Sequence, residues 1–305
     1  MDYTETLTNA YSDCHLCYRG CGVNRTAGEL GYCRVGSELK IARAALHYWE
    51  EPCISGRRGS GAVFFSGCSL GCIYCQNREI SRGESGLTVS DARLCEIMLE
   101  LQRDGAHNIN LVTPTHYAPT IIRAVADARA RGLKLPIVYN TGSYDTKDTL
   151  EALRGTVDIF LPDLKYYRAE SARALSFAED LPSISREGIK KMVEIAGECR
   201  FDADGMLLGG VIVRILLLPG HLAEAKLNLK HLYDSYGDKI FISLMSQYTP
   251  GEGLPSPLNR RVTLAEYREL VDYALSLGVK NAYIQESGSA EESFIPPFDN
   301  TGVLP

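Results

Sequence analysis

Three cysteines with the spacing Cys-x3-Cys-x2-Cys are the residues of this chain best suited to chemistry, and they are Cys68, Cys72 and Cys75. Thiolates select iron–sulfur clusters or zinc, and a closed four-iron cluster or a structural zinc site takes four of them. Three thiolates leave one metal with an open coordination position, where a cofactor can bind and accept an electron. Among 305 residues with ten cysteines, this spacing has only about 0.01 expected chance matches. The pattern therefore predicts an open catalytic cluster rather than three small buried thiols.

The first 60 residues hold a second cysteine set, whose members are Cys14, Cys17, Cys21 and Cys33. Four thiolates fit either a structural zinc or an auxiliary iron–sulfur cluster. Zinc prefers paired Cys-x2-Cys knuckles and the set has one such pair, so the two metals stay equally open, with a site without metal as the third interpretation. Since residues 1–60 also lack long periodic segments, we expect a small Cys-rich cap there and a second domain over residues 61–305.

Composition excludes several classes of protein. With 45% apolar residues the chain can bury a sizeable core. A formal net charge of -6 argues against nucleic acid and anionic membranes as partners, because both need a basic face. The sequence has no apolar run long enough to cross a bilayer, and its N-terminus has no basic segment followed by an apolar one. We therefore expect a cytoplasmic protein whose cysteines are reduced thiols or metal ligands.

Apolar runs of strand length alternate with amphipathic helical segments from Ala62 onward, which predicts an α/β protein with a parallel sheet. The runs are near-continuously apolar, as is typical of strands buried on both faces. Six strands and a shorter seventh are predicted, at residues 62–66, 108–112, 137–141, 158–164, 211–218, 240–245 and 282–285. The alternation indicates a partial (β/α)6 barrel. Ligands of such barrels gather at the C-terminal ends of the strands, and the three-cysteine loop follows the first strand.

Two helices have clear sequence patterns. An apolar stripe at helical spacing covers residues 94–101. Thr263 and Glu266 are placed as a capping box that begins the second helix, and Gly278 is placed to end it. Both helices are expected to pack on the sheet.

The cysteine run resembles the signature of the radical S-adenosylmethionine (SAM) enzymes. In that superfamily three cysteines hold a [4Fe-4S] cluster whose fourth iron is chelated by the amino and carboxylate groups of SAM. An electron from the reduced cluster cleaves SAM to methionine and a 5′-deoxyadenosyl radical, which abstracts a hydrogen atom from the substrate. The resemblance implies both cofactors, a reduced flavodoxin or ferredoxin as electron donor, and an oxidoreductase with a dry cavity around the radical.

Residues close to the predicted cluster and after the second strand are the first candidates for contacts with SAM. Tyr74 lies between two cluster ligands, where its ring could cover the adenine, and an ordinary packed aromatic is the alternative. Pro114 interrupts the stretch after the second strand, so carbonyls there are freed to accept from an ammonium group. The candidates in this stretch are Thr113, Thr115 and His116. A loop histidine with satisfied hydrogen bonds explains His116 equally well.

Residues at the ends of later strands form a second group of candidates. Asn140 and Thr141 offer polar groups suited to ribose or to the methionine carboxylate, and turn chemistry explains them almost as well. Asp163 and Lys165 lie two residues apart on one face of a strand end, where charge is costly unless it is paired or used. Arg214 interrupts an apolar run. We expect it to point into the barrel, toward the SAM carboxylate or a substrate anion.

A longer resemblance covers nearly the whole chain and is to homologues of the pyruvate formate-lyase activating enzyme. Its N-terminal half rests on residues 50–56, 59–61 and 64–68 and on Gln76 and Asn77, which become candidate cofactor-binding residues. The chain is most similar to a branch with an N-terminal cysteine cluster. That likeness rests on residues 113–117, 243–248 and 294–296.

The chain departs from the true activating enzymes at two loops. After the second strand the activating enzymes carry Gly-Gly-Glu, whereas residues 112–115 of this chain are Val-Thr-Pro-Thr. The contact to the SAM ammonium group must therefore be made differently. After the third strand they carry Asp-Thr-Asn-Gly, whereas residues 139–142 of this chain are Tyr-Asn-Thr-Gly. Because the Asp is missing, a cation site beside SAM is weaker or absent. Asp163 and Lys165 match their Asp-x-Lys pattern.

Three functions are compatible with the sequence. The first is hydrogen abstraction from a protein or peptide glycine, as in the activation of a glycyl radical enzyme, and its support is family likeness. The second keeps the radical chemistry but acts on a small molecule or makes another peptide modification. An open lateral barrel mouth would favour the first, and a closed cavity lined by charges the second. The third and least favoured is a non-catalytic iron–sulfur redox protein, since such clusters usually have four protein ligands.

Overall fold

A sheet of ten strands forms the centre of the computed structural model, which describes residues 9–285 and 295–305. In chain order the strands are β1 (Leu39–His47), β2 (Ser60–Phe65), β3 (Leu87–Val89), β4 (Ile109–Val112), β5 (Ile137–Thr141), β6 (Ile159–Pro162), β7 (Arg200–Phe201), β8 (Leu207–Leu216), β9 (Phe241–Met245) and β10 (Ala282–Ile284). Their order across the sheet is β10-β9-β8-β6-β5-β4-β2-β1-β3, and β7 pairs with β8. Phe294, in one of the runs that carry the family resemblance, lies outside the described residues.

Seven of the strands run parallel to one another, from β2 through β4, β5, β6, β8 and β9 to β10. Leu111 of β4 lies opposite Val63 of β2 and Tyr139 of β5, which sets the register at the centre of the sheet. In the described part of the chain the two ends of this path do not pair, so the barrel is partial. The predicted fold class, with six strands and a shorter seventh, is confirmed. The prediction succeeds because central strands such as β4, β5 and β6 are nearly continuous apolar runs that are buried on both faces.

The helices of the described residues are α1 (Pro52–Ser55), α2 (Arg78–Ser81), α3 (Asp91–Arg103), α4 (Ala118–Ala130), α5 (Lys147–Ala152), α6 (Ala169–Ser176), α7 (Leu181–Ala196), α8 (Leu222–Tyr236) and α9 (Leu264–Leu277). Long helices such as α3 and α4 pack on the outer face of the sheet, whereas Ile54 of α1 packs inside the barrel with Val138 and Ile212. The apolar stripe of α3 is buried in the main core, together with outward-facing residues of the strands such as Leu111 and Tyr139. No helix among residues 9–285 and 295–305 is long and apolar enough to cross a membrane.

The predicted start and end of α9 are confirmed. The Thr263 hydroxyl accepts a hydrogen bond from the Glu266 amide at 3.2 Å, and the Glu266 carboxylate accepts one from the Thr263 amide at 2.9 Å. Gly278 follows the helix with φ of 85°, the left-handed conformation that glycine adopts without strain. The helix caps depend on residues that are close in the chain, and the sequence therefore predicts them.

Strand β1 lies within the predicted cap and was not predicted as a strand. It pairs antiparallel with β2 and β3, and the C-terminal segment bonds to it, with the Ala44 amide donating to the Thr301 carbonyl at 2.9 Å. Lys40 and Arg43 interrupt its small and apolar residues, so the run has no clear period of two. Residues 39–47 thus share the sheet of the barrel, and the boundary near residue 60 stays a prediction.

Candidate functional site

A cavity of about 200 Å³ lies where the parallel strands end, at their carboxyl edge. Its lining includes the three cysteines of the loop after β2, Thr113 after β4, and Asn140 at the end of β5. The other predicted residues that line it are Thr141, Asp163, Lys165, Tyr74, Gln76, Asn77 and Arg214. The carboxyl ends of parallel strands meet at one edge of a sheet, and for that reason residues nearly 150 positions apart share this cavity.

The loop that carries the three cysteines (residues 67–75) is shaped by glycine and by bonds to sulfur. Gly67 has φ of 89°, and a side chain there would lie 2.7 Å from the Cys33 carbonyl oxygen. The Leu70 amide donates to the Cys68 sulfur at 3.3 Å, and the Ser176 hydroxyl donates to the Cys72 sulfur at 2.8 Å. Such donors stabilise thiolate ligands. The loop is thus built around sulfur atoms that face one cavity.

The chemistry of the three thiols fits a metal cluster. Burial, together with the sulfurs of Cys72 and Cys68, raises the pKa of Cys75 to about 12. Burial also raises the pKa of Cys72, against the Lys165 charge that lowers it. Without a bound cation the thiols of Cys72 and Cys75 stay protonated at neutral pH. A bound cluster supplies that cation, and three sulfurs leave one of its irons open to a further ligand.

Tyr74 both packs and lines the cavity, so the structure joins the two interpretations of this residue. Its hydroxyl accepts a hydrogen bond from the Tyr166 hydroxyl at 2.8 Å, and its ring meets the rings of Tyr166 and Tyr248 edge-on. Close to it, the Gln76 amide donates to the Gln247 carbonyl at 2.7 Å. Asn77 also lines the cavity, at the start of α2. The roles of these residues toward a cofactor remain predictions.

The loop after β4 is divided between the cavity and the core. Thr113 lines the cavity with φ of 59°, a left-handed conformation that is rare for a β-branched residue and is concentrated at functional sites. Thr115 and His116 are buried instead, and neither is among the cavity residues. His116 Nε2 lies 2.8 Å from the Ser66 carbonyl oxygen, and burial lowers the pKa of His116 to about 3. The geometry thus matches a neutral core histidine better than a cofactor contact.

Asp163 and Lys165 form an ion pair in the cavity wall, with the lysine ammonium 2.6 Å from the Asp163 carboxylate. Burial lowers the pKa of Lys165, but the charges of Asp163 and Cys72 raise it more, so the net shift is upward. The lysine therefore stays charged beside the sulfur loop. Asn140 and Thr141 lie on the neighbouring strand end, and the Thr141 hydroxyl donates to the buried Asp145 carboxylate at 2.7 Å.

Arg214 points into the barrel, as predicted, but it already has two anionic partners. Its guanidinium donates to both oxygens of Glu51, at 2.8 and 2.7 Å, and to Glu50. Asn110 donates to the other Glu50 oxygen at 2.8 Å. A SAM carboxylate or substrate anion at Arg214 would have to compete with these carboxylates, so direct anion contact has no support from the geometry and stays a prediction.

Three residues that line the cavity were not candidates in the sequence. His47 is the last residue of β1, and Trp49 and Glu50 lie between β1 and α1. Burial lowers the pKa of His47 although the Glu50 charge raises it. Of the three, only Glu50 belongs to the run at residues 50–56, which the resemblance used without assigning it a place.

The four cysteines of the N-terminal set gather in one turn-rich segment. Burial, together with the sulfurs of Cys33, Cys14 and Cys21, raises the pKa of Cys17 to about 12. The Tyr32 amide donates to the Cys21 sulfur at 3.4 Å. Over the described ranges, no three His, Cys, Asp or Glu side chains converge tightly enough for a single metal ion, and this applies to the cluster cysteines as well. A metal at the N-terminal set stays a prediction.

Comparison with a family model decides what the cysteine loop and its barrel are. The model of the radical SAM superfamily matches residues 62–232, more than half of the chain. The chain belongs to the radical SAM superfamily. The predicted recognition of this superfamily is confirmed, and membership implies a [4Fe-4S] cluster and SAM.

Relatives of this radical SAM chain are known by sequence and by structure. An uncharacterised protein of Methanocaldococcus jannaschii is 27% identical over 281 residues, which cover 88% of this chain and 76% of that protein. Streptococcus suis SuiB bound to its precursor peptide SuiA has a TM-score of 0.53 at 14% identity, over 73% of this chain and 47% of that one. SuiB bound to SAM has a TM-score of 0.51 at 14% identity, over 68% of this chain and 44% of that one. The chain spans less than half the length of either solved structure, so these likenesses show the shared fold.

Proposed function

We propose that this chain reductively cleaves SAM at a [4Fe-4S] cluster held by Cys68, Cys72 and Cys75, and that it uses the radical to abstract a hydrogen atom from a substrate. The observation that carries this proposal is that all three sulfurs line one cavity with polar residues from the ends of β4, β5 and β6. When bound, the cluster and SAM supply the electron transfer and the homolytic carbon–sulfur cleavage. Residues of the chain supply ligation, orientation and exclusion of water.

Three residues of the cavity wall are proposed to hold SAM. Lys165 stays protonated beside Asp163 and is placed to donate to the methionine carboxylate. Thr113 follows β4 in a left-handed conformation and lines the cavity, while its amide donates to the Asn140 carbonyl of β5 at 2.9 Å, so its side chain rather than its amide is the group available to SAM. Tyr74 supplies an aromatic surface next to the cluster loop for the adenine.

Release of 5′-deoxyadenosine tests the proposed reaction. The protein would be reconstituted anaerobically with iron and sulfide, reduced with dithionite and incubated with SAM. We expect the nucleoside from wild type and none from the variant with Cys68, Cys72 and Cys75 all changed to Ser. Cys95→Ser, which alters a buried cysteine of α3 outside the cavity, should behave as wild type. No nucleoside from iron-loaded wild type would leave the non-catalytic redox protein as the surviving interpretation.

The first candidate for the substrate is a glycine of a protein or peptide, in activating-enzyme-like chemistry. Its support is the Asp163-x-Lys165 pattern shared with the activating enzymes. The second candidate is a small molecule or another peptide modification, and it is favoured by the charged wall formed by Glu50 and Arg214. Deuterium transfer into 5′-deoxyadenosine separates them, since a glycine-deuterated peptide donates the label only under the first.

The other partners follow from the same chemistry. A one-electron donor such as reduced flavodoxin or ferredoxin supplies the cluster, because cleavage consumes one electron for each SAM. For the N-terminal cysteine set the proposed ligand is a second metal, either zinc or an auxiliary iron–sulfur cluster, because four thiolates in one short segment suit both, and a site without metal is the alternative. Iron, zinc and sulfide contents of wild type and of the variant with those four cysteines changed to Ser identify the metal. Cytoplasmic location, and the lack of a nucleic-acid or membrane partner, remain predictions from composition.

A further inference from the structure

Arg19 joins the N-terminal cysteine segment to the catalytic loop. It lies between Cys17 and Cys21 in the sequence, and its guanidinium is flat against the Tyr32 ring, 3.7 Å from the ring centre. Tyr32 in turn donates its hydroxyl to the Leu70 carbonyl at 3.1 Å. The segment around Arg19 thus reaches the cluster loop through two side chains.

The guanidinium of Arg19 bonds four backbone carbonyls that belong to two different segments. In the cluster loop it donates to Ser69 at 2.7 Å and to Leu70 at 3.4 Å. At the end of α6 it donates to Ser176 at 3.0 Å and to Phe177 at 2.5 Å. The last carbonyls of a helix lack partners within the helix, so Arg19 acts as a cap of α6 as well as a clamp on the loop.

Each clamped segment carries a hydrogen-bond donor to a different cluster sulfur. The Leu70 amide donates to the Cys68 sulfur at 3.3 Å. The Ser176 hydroxyl donates to the Cys72 sulfur at 2.8 Å, and Ser176 is fully buried. Arg19 thus bonds the backbone of both residues whose N–H and O–H face these two ligands, and the Ser176 hydroxyl also lies 2.6 Å from the Tyr166 hydroxyl.

We propose that Arg19 is a positioning residue through which the N-terminal cysteine segment sets the reduction potential of the catalytic cluster, by holding Ser176 and Leu70 against the sulfurs of Cys72 and Cys68. Hydrogen bonds to cluster sulfurs favour the reduced, more negative state and so raise the potential. Arg19 supplies geometry rather than contact with the cluster. The inference rests on the proposed function, because it requires the cluster to be bound.

The test is an anaerobic redox titration of the reconstituted protein, followed by electron paramagnetic resonance of the reduced cluster. The signal that changes when SAM is added belongs to the catalytic cluster, which separates it from any cluster at the N-terminal set. We expect Ser176→Ala to make reduction about tenfold less favourable, which is a shift of about 59 mV to more negative potential for one electron. Arg19→Ala should shift the potential in the same direction.

A double variant distinguishes a relay from two separate effects. If Arg19 acts through Ser176, the shift in the Arg19→Ala, Ser176→Ala protein is smaller than the sum of the single shifts. Arg19→Lys keeps the charge but loses the planar fork, so it should resemble Arg19→Ala rather than wild type. Arg173→Ala and Ser183→Ala are matched controls on α6 and α7, because both side chains are exposed and bond away from the cluster loop.

The possible results separate the inference from the function on which it rests. Unchanged potential in Ser176→Ala with full iron content would overturn the inference, while SAM cleavage by that protein would leave the proposed function standing. Full additivity of the two single shifts would also overturn the relay. If Arg19→Ala fails to take up iron, Arg19→Lys replaces it in the titration, and a wild-type potential in that protein would overturn the inference. A wild type that binds no cluster would instead end the proposed function.

Discussion

At the scale of single residues, the two cationic side chains of the cavity, Arg214 and Lys165, differ in how many partners they have inside the protein. Arg214 is satisfied by two carboxylates, whereas Lys165 pairs with Asp163 alone among residues 9–285 and 295–305 and lies beside the cysteine loop. An ammonium group has three donors, so the bond to Asp163 leaves others available. Lys165 is therefore the better candidate for the SAM carboxylate.

The prediction at this scale concerns Lys165→Met. Losing one hydrogen bond between charged groups, worth about 1.5–3 kcal/mol, should weaken SAM binding roughly 10- to 150-fold. Isothermal titration calorimetry of the iron-loaded protein with SAM measures the change in affinity. Lys147→Met removes an exposed lysine paired with Glu187 and should leave the affinity unaltered. Equal affinity of Lys165→Met and wild type would show that the cofactor lies elsewhere.

At the scale of elements, the cluster loop depends on close approach between segments. Gly67 lies where the loop meets the N-terminal segment, and a Cβ there would be 2.7 Å from the Cys33 carbonyl oxygen and 3.0 Å from the Val35 methyls. Gly155, between α5 and β6, has a similar positive φ of 77°, yet a Cβ there has nothing within 4 Å. The two glycines thus share a backbone conformation that would strain any other residue, and they differ in the space available for a side chain.

We predict that this difference decides the outcome of alanine substitution. Gly155→Ala should cost about 1–2 kcal/mol of unfolding free energy from its left-handed conformation alone. Gly67→Ala should cost about 1–3 kcal/mol more, because the loop or residues 33–35 must move. Urea denaturation of the metal-free proteins measures both. Iron uptake should fall in Gly67→Ala only, and equal stability of the two variants would contradict the close approach.

At the scale of the whole molecule, a buried ion network joins two segments that are far apart in the chain. Arg214 of β8 pairs with Glu50 and Glu51, from which it is separated by more than 160 residues. Burial raises the pKa of Glu51, but the charge and hydrogen bonds of Arg214 lower it more, so the net shift is downward. The network therefore fastens the β1–α1 connection to the inside of the barrel.

The prediction at this scale is that Arg214→Leu strands two buried carboxylates and costs about 3–5 kcal/mol of stability at neutral pH. Lys147→Ala, which breaks an exposed pair, should cost less than about 1 kcal/mol. Because the folded pKa of Glu51 is depressed, its contribution is present above the ordinary value of 4.5 and is lost as pH falls through the folded value. Denaturation at several pH values should thus show the gap between wild type and Arg214→Leu narrowing in acid. A gap independent of pH would mean that packing causes the loss.

The sequence by itself determined the features that are encoded locally. The Cys68–Cys75 spacing, the seven apolar strands and the capping box of α9 all depend on residues within one element, and each was legible for that reason. The place of the cysteine loop followed too, since a loop after the first parallel strand must lie at the carboxyl edge of the sheet.

Only the tertiary structure decided which distant groups meet. The pairing of Arg214 with Glu50 and Glu51, the burial of His116 against Ser66, and the clamp of Arg19 across two segments join residues separated by about 50 to 160 positions. Strand β1 escaped prediction because its place in the sheet comes from pairing with β2, not from its own pattern. The charge and type of a side chain predict that it needs a partner when it is buried. Which residue becomes that partner depends on how strands that are remote in the chain pack together.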